Sequence, residues 1–168
     1  MKLLTARKVK ALHPISIGLE KTNFKKKLFS RKFSYERNVL GFDKPLVQKV
    51  NYTPIRGLFQ KREGELRLRV YSPTENTNVS NLICNIHNSI KSGKKQKVAQ
   101  MIWGDTNPKY TDQGLITHLI TEATHLLKGV GVKEIEVLTI GKERSIYHEL
   151  GFVETKRTAE GIYYTKKF

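Results

Sequence analysis

The chain has 168 residues, 31 of them Lys or Arg and 15 Asp or Glu, for a formal charge of +16. That length suits one domain with a tail, and no apolar run approaches the roughly 18 residues that cross a bilayer as a helix. The single cysteine, Cys84, excludes an intramolecular disulfide framework and a cysteine-based zinc cluster, and points to a reducing compartment.

The charge is concentrated at the front. Between Met1 and Phe33 stand ten basic residues and one acid, Glu20, so this stretch is a separate object from the rest. Three readings of it stay open. A basic, acid-poor segment with scattered Leu, Val, Ile and Phe suits a mitochondrial presequence, and Arg31-Lys32-Phe33-Ser34 has the look of its cleavage site. The alternation of cations and aromatics from Phe24 to Phe33 suits a permanent arm that contacts phosphates and unstacked bases. A solvated tail is the third. His13-Pro14 ends any helix begun before it.

Residues 34–64 are punctuated by Gly41, Pro45, Pro54 and Gly57, which predicts an extended connector with one short strand near Leu46–Val50. Arg56, Lys61 and Arg62 beside Phe59 extend the basic surface or form a charged loop face. In Glu65–Tyr71 apolar and charged residues alternate strictly, the period of a half-buried strand with Leu66, Leu68 and Val70 inward. Val79, Leu82, Ile83, Ile86 and Ile90 recur at helical spacing before Gly93, which predicts an amphipathic helix of about four turns. Lys97–Trp103 reads as a buried central strand. Leu115, Ile116, Leu119, Ile120, Ala123, Leu126 and Leu127 form an amphipathic helix closed by Gly129 and Gly131. Ile135–Ile140 is a third strand, a short helix covers 142–150, and 152–157 with 162–167 make a terminal hairpin. The expected fold class is α/β, a mixed sheet in the order β-α-β-α-β-α-β-β behind a basic extension.

Two motifs carry a family resemblance. Pro108-Lys-Tyr110-Thr-Asp-Gln113-Gly114-Leu-Ile116-Thr-His-Leu119-Ile120 resembles the acyl-CoA loop and helix of the GNAT N-acetyltransferases. Ile146-Tyr147-His-Glu-Leu150-Gly151-Phe152 is similar to the Tyr-X-X-Leu-Gly-Phe signature that closes that fold. The likeness covers residues 65–168. It implies an acetyl-CoA pyrophosphate held by backbone N–H groups at a helix N-terminus, with Tyr147 placed to protonate a leaving thiolate.

The match is incomplete. Of the family's Arg/Gln-X-X-Gly-X-Gly/Ala loop only Gly114 agrees: Thr111 offers no cation, Ile116 replaces the small last residue, and Gln113 fits only out of register. Ile140-Gly-Lys-Glu-Arg144 stands where the family often has Asn and Ala. The predicted helix over 79–90 leaves no room for two antiparallel strands that carry the family's general base. Asp105 and Asp112 are the carboxylates nearest the loop, and read as surface acids. His118, Glu122 and His125 share a helix face at a spacing that could hold a metal, but with no fourth ligand they read as a solvated polar face, and no metal is expected.

The expectation is therefore a degenerate acetyltransferase-like domain serving as an RNA-bound structural or accessory component of a large ribonucleoprotein, such as a mitochondrial ribosome in the matrix. Lys25, Lys26, Lys27, Arg31, Lys32, Arg56, Lys94, Lys95 and Lys97 are the expected RNA contacts, with the Lys156/Arg157 and Lys166/Lys167 pairs beside them. No cofactor is expected on this reading. The alternative is an active acetyl-CoA-dependent N-acetyltransferase. A protein-binding module behind a cleaved presequence is a third class.

Overall fold

The structure is a computed structural model that describes residues 32–54, 62–91, 93–140 and 144–168. Five antiparallel strands come first: β1 (Phe33–Val39), β2 (Leu46–Pro54), β3 (Arg62–Ser72), β4 (Thr77–Lys91) and β5 (Lys94–Thr106). A 3-10 turn (Pro108–Tyr110) leads into α1 (Leu115–Gly129), then come β6 (Glu134–Thr139), α2 (Arg144–Glu149), β7 (Val153–Thr158) and β8 (Gly161–Lys167). All eight strands form one sheet in the order β1-β2-β3-β4-β5-β6-β8-β7. Among the described residues its single parallel contact is β5 with β6, bridged by α1.

This corrects two expectations. The stretch 79–90 is a strand, and the predicted order gives way to a five-strand meander before the first helix. The residues explain why: four Asn, two Ser, a Thr and three Ile lie within β4. The polar ones compete with a helix for backbone hydrogen bonds and the β-branched ones pack well on a pleat. Ser80, Leu82, Cys84 and Ile86 pair with Val70, Leu68, Leu66 and Gly64 of β3, and Ser80 Oγ donates to Asp105 O at 2.8 Å. The connector over 34–64 likewise contains two strands, β1 and β2, in place of one short one. With β3 and β4 both present, the argument that the acceptor half of the fold is trimmed away falls.

Both described helices pack on one face of the sheet. Leu115, Leu119, Ile120, Ala123 and Leu127 of α1 are buried over Leu66, Leu68, Leu82, Cys84 and Ile86. On α2, Tyr147 stacks on Tyr164 of β8, centroids 5.5 Å apart, and meets Phe152 edge-on at 5.7 Å. Among the described residues no helix covers the opposite face. None is long and apolar enough to span a membrane.

Cys84 is wholly enclosed, and burial pushes its thiol up to about 12. It is a small core hydrophobe, as expected from sequence, though on a strand. At pH 8 a thiol reagent should leave it unmodified until denaturant is added. Rapid labelling of the native chain would contradict that packing.

Candidate functional site

The sheet divides at one place. β5 and β6 are paired from Val98/Glu134 to Met101/Val137 and no further, while β5 runs on to Thr106. The irregularity has a local cause: Ile83 pairs with Trp103 and Cys84 with Met101, so Ile102 is an extra residue that bends β5 outward. The chain from Asn107 to Gly114 leads from the end of β5, where Asn107 N donates to Val79 O at 2.7 Å, to the start of α1.

That loop is held by its own side chains. Asn107 Oδ1 accepts from Lys109 N at 3.1 Å, Thr111 Oγ1 donates to Pro108 O at 2.7 Å, and Gln113 Nε2 donates to Lys109 O at 3.4 Å. Thr111 and Gln113 are thus turned back into the loop. Asp112 (φ 62) and Gly114 (φ 73) take left-handed conformations that aim the chain into α1, and no side chain caps the helix. Its first N–H groups therefore receive no side-chain cap from Gly114. Ile116 lies down on the sheet: its Cδ1 and that of Leu82 are each 3.3 Å from where a Cβ on Gly104 would stand. Asp105 and Asp112 are exposed.

Past the division, Thr139 ends β6 with its Oγ1 buried and accepting or donating no hydrogen bond among the described residues. No sequence signal marks it. An acyl-CoA group fits this place in part: an uncapped helix end and an orphaned buried hydroxyl suit it, and the absence of a cation at Thr111 does not. Tyr147 is buried in an aromatic stack.

His118 and Glu122 do not form a solvated face. Glu122 accepts from Tyr35 Oη at 2.6 Å and pairs with Arg37 Nη2 at 2.7 Å. Arg37 Nε and Nη2 also donate to Gln48 Oε1 (3.1 and 3.0 Å), which lies 2.9 Å from His118 Nε2. The network ties β1 and β2 to α1. His125 is exposed, and among the described residues no group of three His, Cys, Asp or Glu is placed to hold a metal.

At the other end of the sheet the fold gathers lysines. The β4–β5 hairpin carries Lys94, Lys95 and Lys97. Lys133 N donates to Lys97 O at 2.9 Å, and Phe168 N donates to Lys133 O at 3.0 Å. Lys128 at the end of α1 sits over the Phe168 ring at 5.8 Å, and Lys167 pairs in register with Glu134. All but Lys97 are exposed. The acids here are engaged, since Lys91 binds both Glu134 and Glu136. Lys128 and Lys133 are additions that only the fold brings in. Lys156, Arg157 and Lys166 lie elsewhere, over Tyr163, against Glu154 and against Leu150 O. Lys32 is exposed just before β1. Lys25, Lys26, Lys27, Arg31 and Arg56 lie outside the described residues.

The layout of strands and helices is that of the GNAT acetyltransferase fold. Similar solved structures include the PaiA N-acetyltransferase of Thermoplasma acidophilum in complex with coenzyme A (TM-score 0.51, 18% identity, 62% of this chain and 61% of that one). An acetyltransferase of Trypanosoma brucei matches at TM-score 0.52 and 18% identity, over 56% of this chain and 66% of that one. A mutant AtaT toxin, bound to the C-terminus of the antitoxin AtaR and acetyl-CoA, matches at 0.51 and 11%, over 61% and 68%. The chain thus spans only about 61 to 68% of these neighbours' lengths. No protein-family model matches the sequence, and no curated protein matches it.

Proposed function

We propose that this chain is an RNA-bound structural or accessory component of a large ribonucleoprotein, such as a mitochondrial ribosome, in which the acetyltransferase fold serves as a scaffold. The observation that carries this reading is the lysine end: Lys94, Lys95, Lys97, Lys128, Lys133 and Lys167 drawn together from four separate parts of the chain, with the nearby acids already neutralised by Lys91. Such a cluster lowers its own repulsion by accepting phosphates and releasing their counterions. Neighbouring proteins of the assembly are the expected further partners. A mitochondrial address rests on the basic N-terminal stretch.

A second reading, an active N-acetyltransferase, is favoured by the uncapped N-terminus of α1 and the orphaned Thr139 hydroxyl. On that reading the N–H groups following Gly114 would hold the pyrophosphate, and Tyr147 would return a proton to the thiolate. Acetyl-CoA would supply the activated acyl group.

One pair of titrations separates them. By calorimetry at near-physiological salt, the full chain is expected to show no saturable binding of acetyl-CoA, and to bind structured RNA with an affinity that falls steeply with salt. Micromolar acetyl-CoA binding without RNA binding would overturn the scaffold reading and make Tyr147→Phe kinetics decisive.

A further inference from the structure

The face of the sheet turned away from α1 and α2 holds the most unusual surface of the domain. Register fixes its members. Asn51, Arg67, Ile83 and Trp103 stand in one cross-strand row, and Lys49, Arg69, Asn81 and Asp105 in the next. Glu65, Asn85 and Gln100 make a third row on the other side. Trp103, the one tryptophan of the chain, is 59% exposed at the β5 end of its row. A folded domain gains nothing by leaving its largest aromatic side chain in water.

Two more observations point to what covers it. Asn85, one pair along from Trp103, is only 8% exposed, yet its Oδ1 accepts no hydrogen bond among the described residues. A buried acceptor without a donor costs about 1–3 kcal/mol, so an orphaned amide oxygen lies just beneath the face, one pair along from the aromatic plane. The charges on the face are mostly paired internally: Glu36 with Lys49, Glu65 with Arg67, Glu136 with Lys91. Arg69 keeps an ion-pair partner from none of the described acids. The surface is thus rich in amides, with one aromatic, which suits base edges and base planes more than a string of phosphates. Phosphates have their own place on the same strand, because β5 runs from Lys94 to Trp103, about 30 Å at ~3.3 Å per residue, and so connects the lysine end to the tryptophan.

We propose that the face of the sheet opposite α1 and α2 is a platform for single-stranded RNA, with an unpaired base stacked on Trp103. Arg69 takes a flanking phosphate, and the strand then follows β5 to the lysine end. This rests on the RNA reading above and adds to it the kind of RNA and the surface that reads it.

Because the tryptophan is unique, its emission reports on the contact directly. The full chain is titrated with an unstructured RNA of about twelve nucleotides and with a blunt duplex of the same length, following tryptophan emission and the anisotropy of a label on the RNA. Quenching by the single strand and little by the duplex is expected. Trp103→Ala should weaken single-strand binding about tenfold or more with an unchanged salt slope, and Trp103→Tyr should restore most of it. The position is exposed, so the variants should fold, and circular dichroism checks it. RNA binding without quenching, indifferent to Trp103→Ala, would overturn the platform while leaving the RNA reading intact. Emission already blue-shifted and shielded from acrylamide in the free chain would overturn it too, because another part of the chain would then cover the face. No binding of either RNA would sink the RNA reading itself.

Discussion

Replacing Glu122 with alanine is expected to destabilise the domain by about 3–5 kcal/mol. The side chains of Arg37 and Glu122 are only 8% and 18% exposed, so the guanidinium would lose its counter-charge where water cannot take its place. Tyr35 Oη would lose its acceptor in the same step. Against a typical domain stability of about 5–15 kcal/mol this is a large share. It would release β1 and β2 together, since Arg37 and Gln48 belong to the same network. Urea unfolding at pH 7 measures it. Loss of the pair as a whole should be milder: Arg37→Met with Glu122→Leu exchanges two charges for apolar contacts and is expected to recover most of the loss. A cost below about 1 kcal/mol for Glu122→Ala would mean that the pair is screened like a surface one.

The same network makes the fold acid-sensitive, and the sign follows from the direction of each shift. Burial raises the Glu122 carboxyl, but Tyr35 and Arg37 outweigh it and hold it below its ordinary 4.5. Its contribution is present above that value and is lost as pH falls through the lower folded one. For His118, burial and then Arg37 press the imidazole below 6.5. The unfolded chain therefore binds the proton first, and stability begins to fall once pH drops below about 6.5. Two successive losses are expected on acidification, the earlier one absent in His118→Gln. A urea midpoint flat from pH 7 to 5 in the unaltered protein would contradict the placement of His118.

Why some elements were legible and others were not is a matter of which residues face the core. In α1 every inward position is apolar, so the 3.6 period survives in the sequence. The β7–β8 hairpin and the strand over 65–71 keep their simple punctuation and alternation. In β4 the inward face is Ser80, Leu82, Cys84 and Ile86. A register slip at Val79 moves the phase of the strand by one residue, Ile83 faces the other side in register with Trp103, and Ile90 is exposed near the strand's end, which leaves Val79, Leu82, Ile83, Ile86 and Ile90 at false helical spacing. In β1 and β2 the inward positions include Arg37 and Gln48, polar residues made acceptable only by partners on α1, some 70 or more residues away. The turn over Pro108–Tyr110 and the helix that follows it were readable because their pieces are contiguous. Thr139 and Asn85 were not, since an orphaned hydrogen-bonding atom is a property of what surrounds it. The same holds for the lysine end, where the chain order gives three residues of a cluster that the fold completes.

That cluster yields the other large effect. Removing three of its charges, in the triple variant Lys94→Ala, Lys95→Ala and Lys133→Ala, should leave the fold intact, because all three are exposed and such changes usually move stability by no more than about 0.5 kcal/mol. Each phosphate contact contributes about 0.7 to 0.9 to the slope of log affinity against log salt, so the slope should become shallower by about 2 to 3. Between about 50 and 200 mM salt, the unaltered chain should then lose about twenty- to fortyfold more affinity for RNA than the variant does. Tryptophan quenching at saturating RNA should persist, because the stacking surface lies at the far end of β5. If the slope is unmoved, phosphates are held elsewhere on the chain and the lysine end is not the RNA contact. If slope and quenching disappear together, the two surfaces bind as one unit, and the RNA must lie along β5 between them.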